Sequence, residues 1–286
     1  MGRKLDTRAI GLDVGLSFIR WLTGAENLHY GLWTGLEVTA ANIGAAQAAY
    51  TDKLFRLLPE GRLRILDIGG GAGETAKKLL ALGHAVEIVV PSAFLAERCR
   101  ANAPEAVIHQ TTFEDFQTGP RFDLCLFSES FQYIPLDQGL PRAIAALAPG
   151  GGIVIADCFR TEAFLGRAAH GPKPGGGHPL ERFRQTLAGL PLEVVSEEDI
   201  TAAVAPSLDL EQEFFNVLGH GVTRIDAELA AKRPATRWMV GRVLRLALGR
   251  RRMENLEGRL TGADRNAAEF QRYNRYLMLR LRPRTA

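Results

Sequence analysis

The sequence predicts an α/β protein whose core is a parallel, doubly wound sheet. From Leu63 to about residue 157, short apolar segments alternate with longer segments of helical periodicity, the pattern of strand–helix units in such a sheet. A glycine-rich turn at residues 69–73 follows the first apolar segment directly. The chain has 286 residues, of which 46% are hydrophobic and 23% are charged. This size and composition allow a well-buried core.

Two helices are predicted ahead of the sheet. Residues 6–22 carry apolar side chains at helical spacing and form an amphipathic helix. Residues 39–58 form a second helix, with Thr39 as its N-cap and Pro59 at its end. We therefore expect residues 1–60 to be a helical arm.

The sheet region contains five predicted strands and three predicted helices. The strands are residues 63–68, 85–90, 106–109, 122–128 and 152–157, and the helices are residues 73–82, 92–102 and 137–147. Because each helix is long enough to cross back over the sheet, the pattern indicates parallel strands.

The C-terminal part combines a loop, two strands and a helical insert. Proline and glycine after Phe159 predict a mobile loop. The sheet resumes at residues 192–196 and ends at residues 273–281, whose alternation predicts an edge pair. Between them, residues 206–258 are predicted to be a helical insert. The predicted organisation is an arm at 1–60, a ligand-binding core at 61–160, and a capping region with the last two strands at 161–286.

Charge is unevenly distributed along the chain. The formal net charge is +3, but residues 220–286 hold 16 Lys and Arg against 6 Asp and Glu, which gives +10 there and −7 elsewhere. This asymmetry favours an acidic partner, such as a membrane surface, a phosphorylated substrate or an acidic carrier protein. The alternative is a solvated, arginine-rich face. No nucleic-acid reading module accompanies the basic segment, which disfavours nucleic acid as a partner.

Three cysteines and the absence of long apolar runs bear on location. Cys99, Cys125 and Cys158 lie in apolar segments without CxxC spacing, so reduced thiols and no metal site are predicted. No apolar run approaches the roughly 18 residues of a membrane-spanning helix, and no secretory signal is evident. We expect a cytoplasmic protein, with peripheral membrane contact through the basic C-terminal region left open.

The glycine-rich turn admits two interpretations. In the segment LDIGGGAGE, Asp67 ends a strand and Gly69, Gly71 and Gly73 form a GxGxG turn before a helix. Glycines in such a turn let a ligand approach the backbone at a helix N-terminus. A dinucleotide fingerprint would be GxGxxG with an acidic residue about 20 positions later. Here the third glycine comes one position early, so the turn alone does not decide.

The stretches LHYGLW, ILDIGGGAGE, TFEDF, FDLCLFSESFQYIP and LAPGGGIVIAD occur in one order. In that order they resemble class I S-adenosylmethionine-dependent methyltransferases. The resemblance is to the branch of cyclopropane-fatty-acid synthases and sterol, tocopherol and phosphoethanolamine methyltransferases. It covers about residues 28–157, and more loosely the C-terminal part. It implies a Rossmann-like, seven-stranded sheet with S-adenosylmethionine as cofactor and an N-terminal helical arm as lid.

The same resemblance implies a set of cofactor-binding residues. It places the methionine end over the three glycines, with Tyr30 and Gly31 closing over it, and it puts Phe113 at the adenine. A sulfonium cation favours carboxylates and aromatic faces. The implied set is Tyr30, Gly31, Trp33, Asp67, Gly69, Gly71, Gly73, Ser92, Thr112, Phe113, Glu114, Ser128 and Glu129.

The sequence departs from the family pattern at two places. Val90 stands where most members carry the acid that binds the ribose, so contact there would come from backbone, Ser92 or water. Gln132 and Tyr133 replace a Glu-His pair with which cyclopropanating relatives hold a bicarbonate base. This second departure argues against cyclopropanation and for methyl transfer to a nucleophile.

The predicted reaction is in-line methyl transfer to a small, hydrophobic or lipid-like acceptor, either free or bound to a carrier protein. Glu129, Tyr133 and His29 are the candidate catalytic residues, since each is able to accept a proton. O-, N- and C-methylation stay open, and so does the oligomeric state. The alternatives are an NAD-dependent oxidoreductase and a non-catalytic S-adenosylmethionine-binding protein.

Overall fold

A computed structural model describes residues 7–167, 173–249, 253, 258–260, 262 and 265–284. Residues 250–252 and 254–257 of the predicted insert lie outside the described residues. The strands are β1 (Arg64–Ile68), β2 (Ala85–Val89), β3 (Val107–His109), β4 (Phe122–Ser128), β5 (Leu147–Arg160), β6 (His178–Pro179), β7 (Leu192–Asp199) and β8 (Asn274–Pro283). The described strands form one sheet in the order β3-β2-β1-β4-β5-β8-β7, with β6 paired to β5.

The described helices cover both faces of this sheet. They are α1 (Thr7–Thr23), α2 (Ile43–Phe55), α3 (Glu74–Ala81), α4 (Ala93–Asn102), α5 (Leu136–Ala146), α6 (Glu162–Leu165), α7 (Leu180–Ala188), α8 (Thr201–Val204), α9 (Pro206–Lys232), α10 (Pro234–Leu248) and α11 (Ala267–Tyr273). The predicted α/β, doubly wound architecture is confirmed. None of these helices combines the length and apolarity needed to cross a bilayer.

The central strands β1, β4, β5 and β8 are largely buried on both faces, which explains their apolar character. Ile65 and Val154 face one apolar layer with residues from α2, α3 and α4. Leu66 and Ile155 face a second layer that includes residues of α5 and α7. Successive side chains of a strand point to opposite faces, so each central strand contributes to both layers.

Several predicted boundaries need correction. The predicted strand 152–157 extends over Leu147–Arg160, because it pairs with β4 at its start and with β8 as far as Arg160. The predicted edge pair is present: β7 is the outermost strand, and β8 lies beside it, antiparallel to both β5 and β7. The predicted helix 39–58 divides into a 3-10 turn at Ala40–Asn42 and α2, and Thr39 makes no side-chain cap.

The strand order reverses between β1 and β4. To one side of β1 the order runs to β2 and β3, and to the other side it runs through β4 to β5. In open α/β sheets, ligands bind in the crevice beyond the carboxyl ends of the strands at such a switch point. The turn after Ile68 and the loop after Ser128 therefore lie where a ligand is expected.

Candidate active site

The glycine turn forms an open cradle between β1 and α3. Gly69, Gly71 and Gly73 have φ angles of 75°, 56° and 89°, a region that L side chains rarely adopt. A Cβ on Gly73 would lie 3.0 Å from the Cα of Cys99, so that glycine is needed for close packing on α4. Within 4 Å, a Cβ on Gly71 would meet one atom of the described residues, Leu28 Cδ1 at 3.6 Å. The backbone at Gly71 therefore borders space that the described protein does not fill.

Asp67 places a buried carboxyl group at the base of this cradle. Its side chain is 1% exposed, and a Cβ on Gly70 would approach its Oδ2 to 2.5 Å. Within the described part of the chain, Oδ2 has no hydrogen-bond partner. Burial raises the pKa of this carboxyl from 3.8 to about 7. A buried acceptor without a donor is costly, so the site is suited to a ligand that brings a positive charge or a hydrogen-bond donor.

Glu129 lies on the other side of the switch point, directly after β4. It is the one described non-glycine residue with positive φ, at 56°, and its N–H donates to the Ala156 carbonyl at 2.8 Å. Its Oε1 accepts from the backbone N–H of Tyr30 at 2.8 Å and from the hydroxyl of Tyr276 at 2.9 Å. Burial, with Asp157 nearby, raises the pKa of the Glu129 carboxyl to about 8.

A chain of hydroxyl groups extends from Glu129 into the core. The Tyr276 hydroxyl lies 2.7 Å from the Tyr50 hydroxyl, which lies 3.4 Å from Oγ of Ser128. Burial raises the pKa of both tyrosines well above the ordinary value, so both stay protonated at neutral pH. The network thus links Glu129, which follows β4, with one side chain each from β4, α2 and β8.

The N-terminal arm covers this region through residues 29–33. His29 Nδ1 lies 2.8 Å from the Tyr30 carbonyl, and its ring stacks on Tyr50 at 4.4 Å between centroids. Burial lowers the pKa of His29 to about 4, so the imidazole is neutral at physiological pH. Its Nε2 lies 3.4 Å from the Thr51 hydroxyl. Both ring nitrogens therefore have protein partners, and the predicted role of His29 as a base stays a prediction.

Ser207 ties the arm to the start of α9. Its hydroxyl accepts from the backbone N–H of Gly31 at 3.1 Å and from the indole Nε1–H of Trp33 at 2.8 Å. The backbone N–H of Trp33 donates to the Ala203 carbonyl at 2.8 Å. Trp33 is 5% exposed. The arm and the capping helices thus form one connected cover over the switch point.

Glu26 fastens the other end of the arm. Its carboxylate accepts from the guanidinium of Arg98 at 2.9 Å and 2.5 Å and from the amide of Asn102 at 2.8 Å. The backbone N–H of Glu26 donates to Glu74 at 3.2 Å, in the first turn of α3. Two charge-assisted bonds from one guanidinium fix orientation as well as distance. The arm is therefore anchored to α3 and α4 as well as to α9.

The ribose and adenine positions of the resemblance contain few free polar groups. Val90 is 2% exposed, and the Ser92 hydroxyl caps α4 by accepting from the N–H of Leu95 at 3.3 Å. Phe113 is 4% exposed and packs edge to face on Phe127 at 5.8 Å. Thr112 is partly buried and donates to Asp115 at 2.8 Å, and Glu114 is partly buried. Their proposed cofactor contacts stay predictions.

Gln132 and Tyr133 lie on the 3-10 turn Phe131–Tyr133 that follows Glu129. The backbone N–H of Gln132 donates to Asp157 Oδ2 at 3.0 Å, and Asp157 also accepts from Cys158 N–H at 2.7 Å. The Tyr133 side chain is 64% exposed. The structure thus groups Glu129 with Tyr30 and Ser128 but places the Tyr133 ring at the surface. Its catalytic role stays a prediction.

The sequence interpretation missed Tyr50, Asp157, Ser207 and Tyr276. Alternation in the last strand places Tyr276 on a buried face, which was the one available signal. Tyr50, for example, contacts Ser128 and Tyr276, which lie 78 and 226 residues away along the chain. No local motif reports contacts of that range.

Comparisons with known proteins agree with this architecture. Residues 65–151 match the family model described as a methyltransferase domain. A ubiquinone biosynthesis O-methyltransferase of Methylobacterium nodulans is 28% identical over 200 residues, covering 63% of this chain and 76% of that protein. A protein of the same name from Bradyrhizobium diazoefficiens is 33% identical over 135 residues, covering 43% and 53%. The chain thus spans about half of the second relative.

A solved structure extends the likeness to the whole chain. Geranyl diphosphate C-methyltransferase from Streptomyces coelicolor A3(2), in complex with Mg²⁺, geranyl diphosphate and S-adenosyl-L-homocysteine, superposes with a TM-score of 0.64. The identity is 14%, and the match covers 99% of this chain and all of that one. At this identity the likeness shows the fold alone.

The sheet order and the glycine cradle at its switch point define the class as a Rossmann-like methyltransferase fold. The matching domain model over residues 65–151 and the relatives, which are named methyltransferases, support a class I S-adenosylmethionine-dependent methyltransferase.

Proposed function

We propose that this enzyme transfers the methyl group of S-adenosylmethionine to an oxygen of a small, hydrophobic acceptor. The observation that carries the proposal is the open cradle at Gly71, with Glu129 across the switch point and residues 29–33 of the arm above them. The two sequence relatives are named O-methyltransferases, which supports oxygen over nitrogen or carbon.

The residues around the cradle fit this cofactor. S-adenosylmethionine carries an α-ammonium and a sulfonium. Asp67 is a buried acid near the end of β1, and Glu129 is a partly buried acid directly after β4. Oδ2 of Asp67 lacks a partner in the described chain, so it would receive the ammonium. The backbone at Gly71 would lie against the bound molecule, because a side chain there would occupy the open space. When bound, the cofactor supplies a methyl group already activated by the sulfonium.

Glu129 is the residue we assign to the acceptor proton. An alcohol or phenol must lose its proton as the oxygen attacks, and a base works best when its pKa lies near the working pH. The pKa of about 8 satisfies this condition. Tyr276 and the Tyr30 N–H orient Oε1 and stabilise its ionised form. Positioning and exclusion of water then supply much of the acceleration.

Aromatic side chains support a hydrophobic acceptor. The ring of Tyr30 lies 5.9 Å from Phe270 and 6.1 Å from Tyr276, and Phe270 belongs to α11, the helix before β8. Leu208, at the start of α9, is fully buried in the same apolar layer. Tyr30 and Tyr276, the two residues that hydrogen-bond Glu129, therefore pack among aromatic and apolar side chains. Such a lining binds apolar molecules and orients them with a small number of polar contacts.

Methyl-labelled S-adenosylmethionine tests the proposal. The wild-type enzyme is incubated with the label and with cell extract separated into apolar and polar fractions. We expect the label in a product of the apolar fraction, where it is part of a methyl ether. We also expect the rate of labelling to be at least tenfold lower for Glu129→Gln. Label in nitrogen or carbon products would contradict O-methylation. Binding without turnover on any fraction would favour the non-catalytic alternative.

A further inference from the structure

The distal part of the helical insert exposes an unusual amount of apolar surface. We call residues 217–248 the distal hairpin; it comprises most of α9 and all of α10. Of the twenty large apolar side chains exposed in the described chain, ten lie within these 32 residues, at 41–78% exposure. They are Val217, Leu218, Val222, Ile225, Trp238, Met239, Val240, Val243, Leu244 and Leu246. Apolar clusters of this kind mark interaction sites.

Three of the exposed apolar side chains of α10 lie along one side of the helix. Met239, Val243 and Leu246 follow the spacing i, i+4, i+7, which places them along one side of a helix. At 100° per residue, Arg237 and Arg245 are turned away from this side, whereas Arg242 borders it and lies over the Trp238 ring at 5.4 Å. The helix is therefore amphipathic, with an exposed apolar face bordered by positive charge.

The charge of the distal hairpin has one dominant sign. Between residues 224 and 245, six Lys and Arg accompany two acids. Both acids are already paired within the hairpin: Asp226 with Arg237 at 2.8 Å, and Glu228 with Arg224 at 2.7 Å. Helix α10 itself contains no acidic residue. The surface thus presents net positive charge beside exposed apolar groups.

Helix α10 is too short to span a membrane. Helix α10 has 15 residues, a length of about 22 Å, whereas a bilayer core is about 30 Å thick. A short helix with an apolar face, a cationic face and a tryptophan lies along the interface of a membrane instead. Anionic lipid headgroups complement the arginines, and acyl chains accept the apolar face.

We infer that the distal hairpin docks on an anionic lipid surface, with the apolar face of α10 inserted among the headgroups. A second copy of this chain is the poorer occupant, because a two-fold contact through this face would oppose identical arginines. Helix α9 also starts at the cover of the site, where Ser207 holds Gly31 and Trp33. Docking would bring the cover of the site close to the lipid that dissolves a hydrophobic acceptor, a consequence that rests on the proposed function.

Vesicle sedimentation tests this inference with a matched pair of variants. The full chain is mixed with vesicles of phosphatidylcholine alone or of phosphatidylcholine with phosphatidylglycerol, at low and high salt. Val243→Asp/Leu246→Asp places two charges on the apolar face, at side chains 58% and 78% exposed. Leu82→Asp/Val107→Asp makes the same changes outside the hairpin, at side chains 62% and 53% exposed.

We expect the wild type and the Leu82/Val107 control to bind the anionic vesicles, more weakly at high salt. The Val243/Leu246 variant should lose at least tenfold in vesicle affinity. Equal binding by both double variants, or no binding of the wild type at low salt, would overturn the inference. So would a dimer in solution that only the Val243/Leu246 variant abolishes, because the occupant would then be a second copy. Titration with S-adenosylhomocysteine, run in parallel, reports on the proposed function separately.

Discussion

Replacing Asp67 with Asn tests the electrostatics of the cradle. The carboxyl is buried, its Oδ2 has no partner among the described residues, and burial raises its pKa from 3.8 to about 7. The pKa of Asp67 is higher in the folded protein than in the unfolded chain. The contribution of the protonated carboxyl to the free energy of unfolding is therefore complete below pH 3.8 and is lost as the pH rises through about 7. Asn has nearly the same shape and does not ionise, so the variant lacks this loss.

The size of the effect follows from the two pKa values. Ionisation of Asp67 lowers the free energy of unfolding by about 2 kcal/mol at pH 5.5 and by about 4 kcal/mol at pH 8. Between these two pH values, wild type should therefore lose about 2 kcal/mol relative to Asp67→Asn. Other titrating groups, Glu129 and Asp157 among them, are present in both proteins and cancel in this comparison.

Urea unfolding of both proteins at pH 5.5 and pH 8, without cofactor, measures this double difference. Adding S-adenosylhomocysteine at pH 8 should stabilise wild type more than Asp67→Asn, because the ligand brings an ammonium group to the carboxylate. A stability difference between the two proteins that does not change with pH would refute the argument. It would mean that Asp67 ionises in the folded protein as readily as in water.

Three further substitutions test the surrounding network. Tyr276→Phe removes a donor to the ionised form of Glu129, so the midpoint of the kcat/KM pH profile should rise by roughly one unit; an unshifted profile would exclude Glu129 as the titrating base. Ser207→Ala leaves two donors of the arm without their acceptor, and calorimetry should show roughly tenfold weaker S-adenosylhomocysteine binding. Arg98→Met unfastens Glu26, and limited trypsin digestion should cut the arm sooner than in wild type; equal rates would contradict the anchoring role.

Much of the fold was predictable because its signals are local. Strand β1, the glycine turn and α3 follow one another within 18 residues, and each has its own apolar or glycine pattern. The position of β8 was not predictable in this way. Its pairing with β5 and β7 joins residues at least 78 positions apart, and alternation within a strand does not identify its neighbours.

The candidate site likewise contains residues with local sequence signals and residues whose roles depend on distant contacts. Glu129 and the glycines stand out because they follow strands at the switch point. Tyr276 and Ser207 act through partners 147 and 174 to 176 residues away, so only the folded chain shows their roles. That Asp67 Oδ2 has no hydrogen-bond partner among the described residues was equally inaccessible, because it depends on which elements pack around the carboxyl group.

The most direct test of the account is calorimetric titration with S-adenosylhomocysteine and with NAD. Wild type and Gly83→Val should bind S-adenosylhomocysteine, because Gly83 shares the strained φ, at +88°, but has open space and lies outside the cradle. Gly71→Val, with φ at +56° and a side chain in the cradle, should show no detectable binding. NAD should not bind to any of the three. Unchanged affinity in Gly71→Val, or NAD binding in place of S-adenosylhomocysteine, would contradict the cofactor site described above.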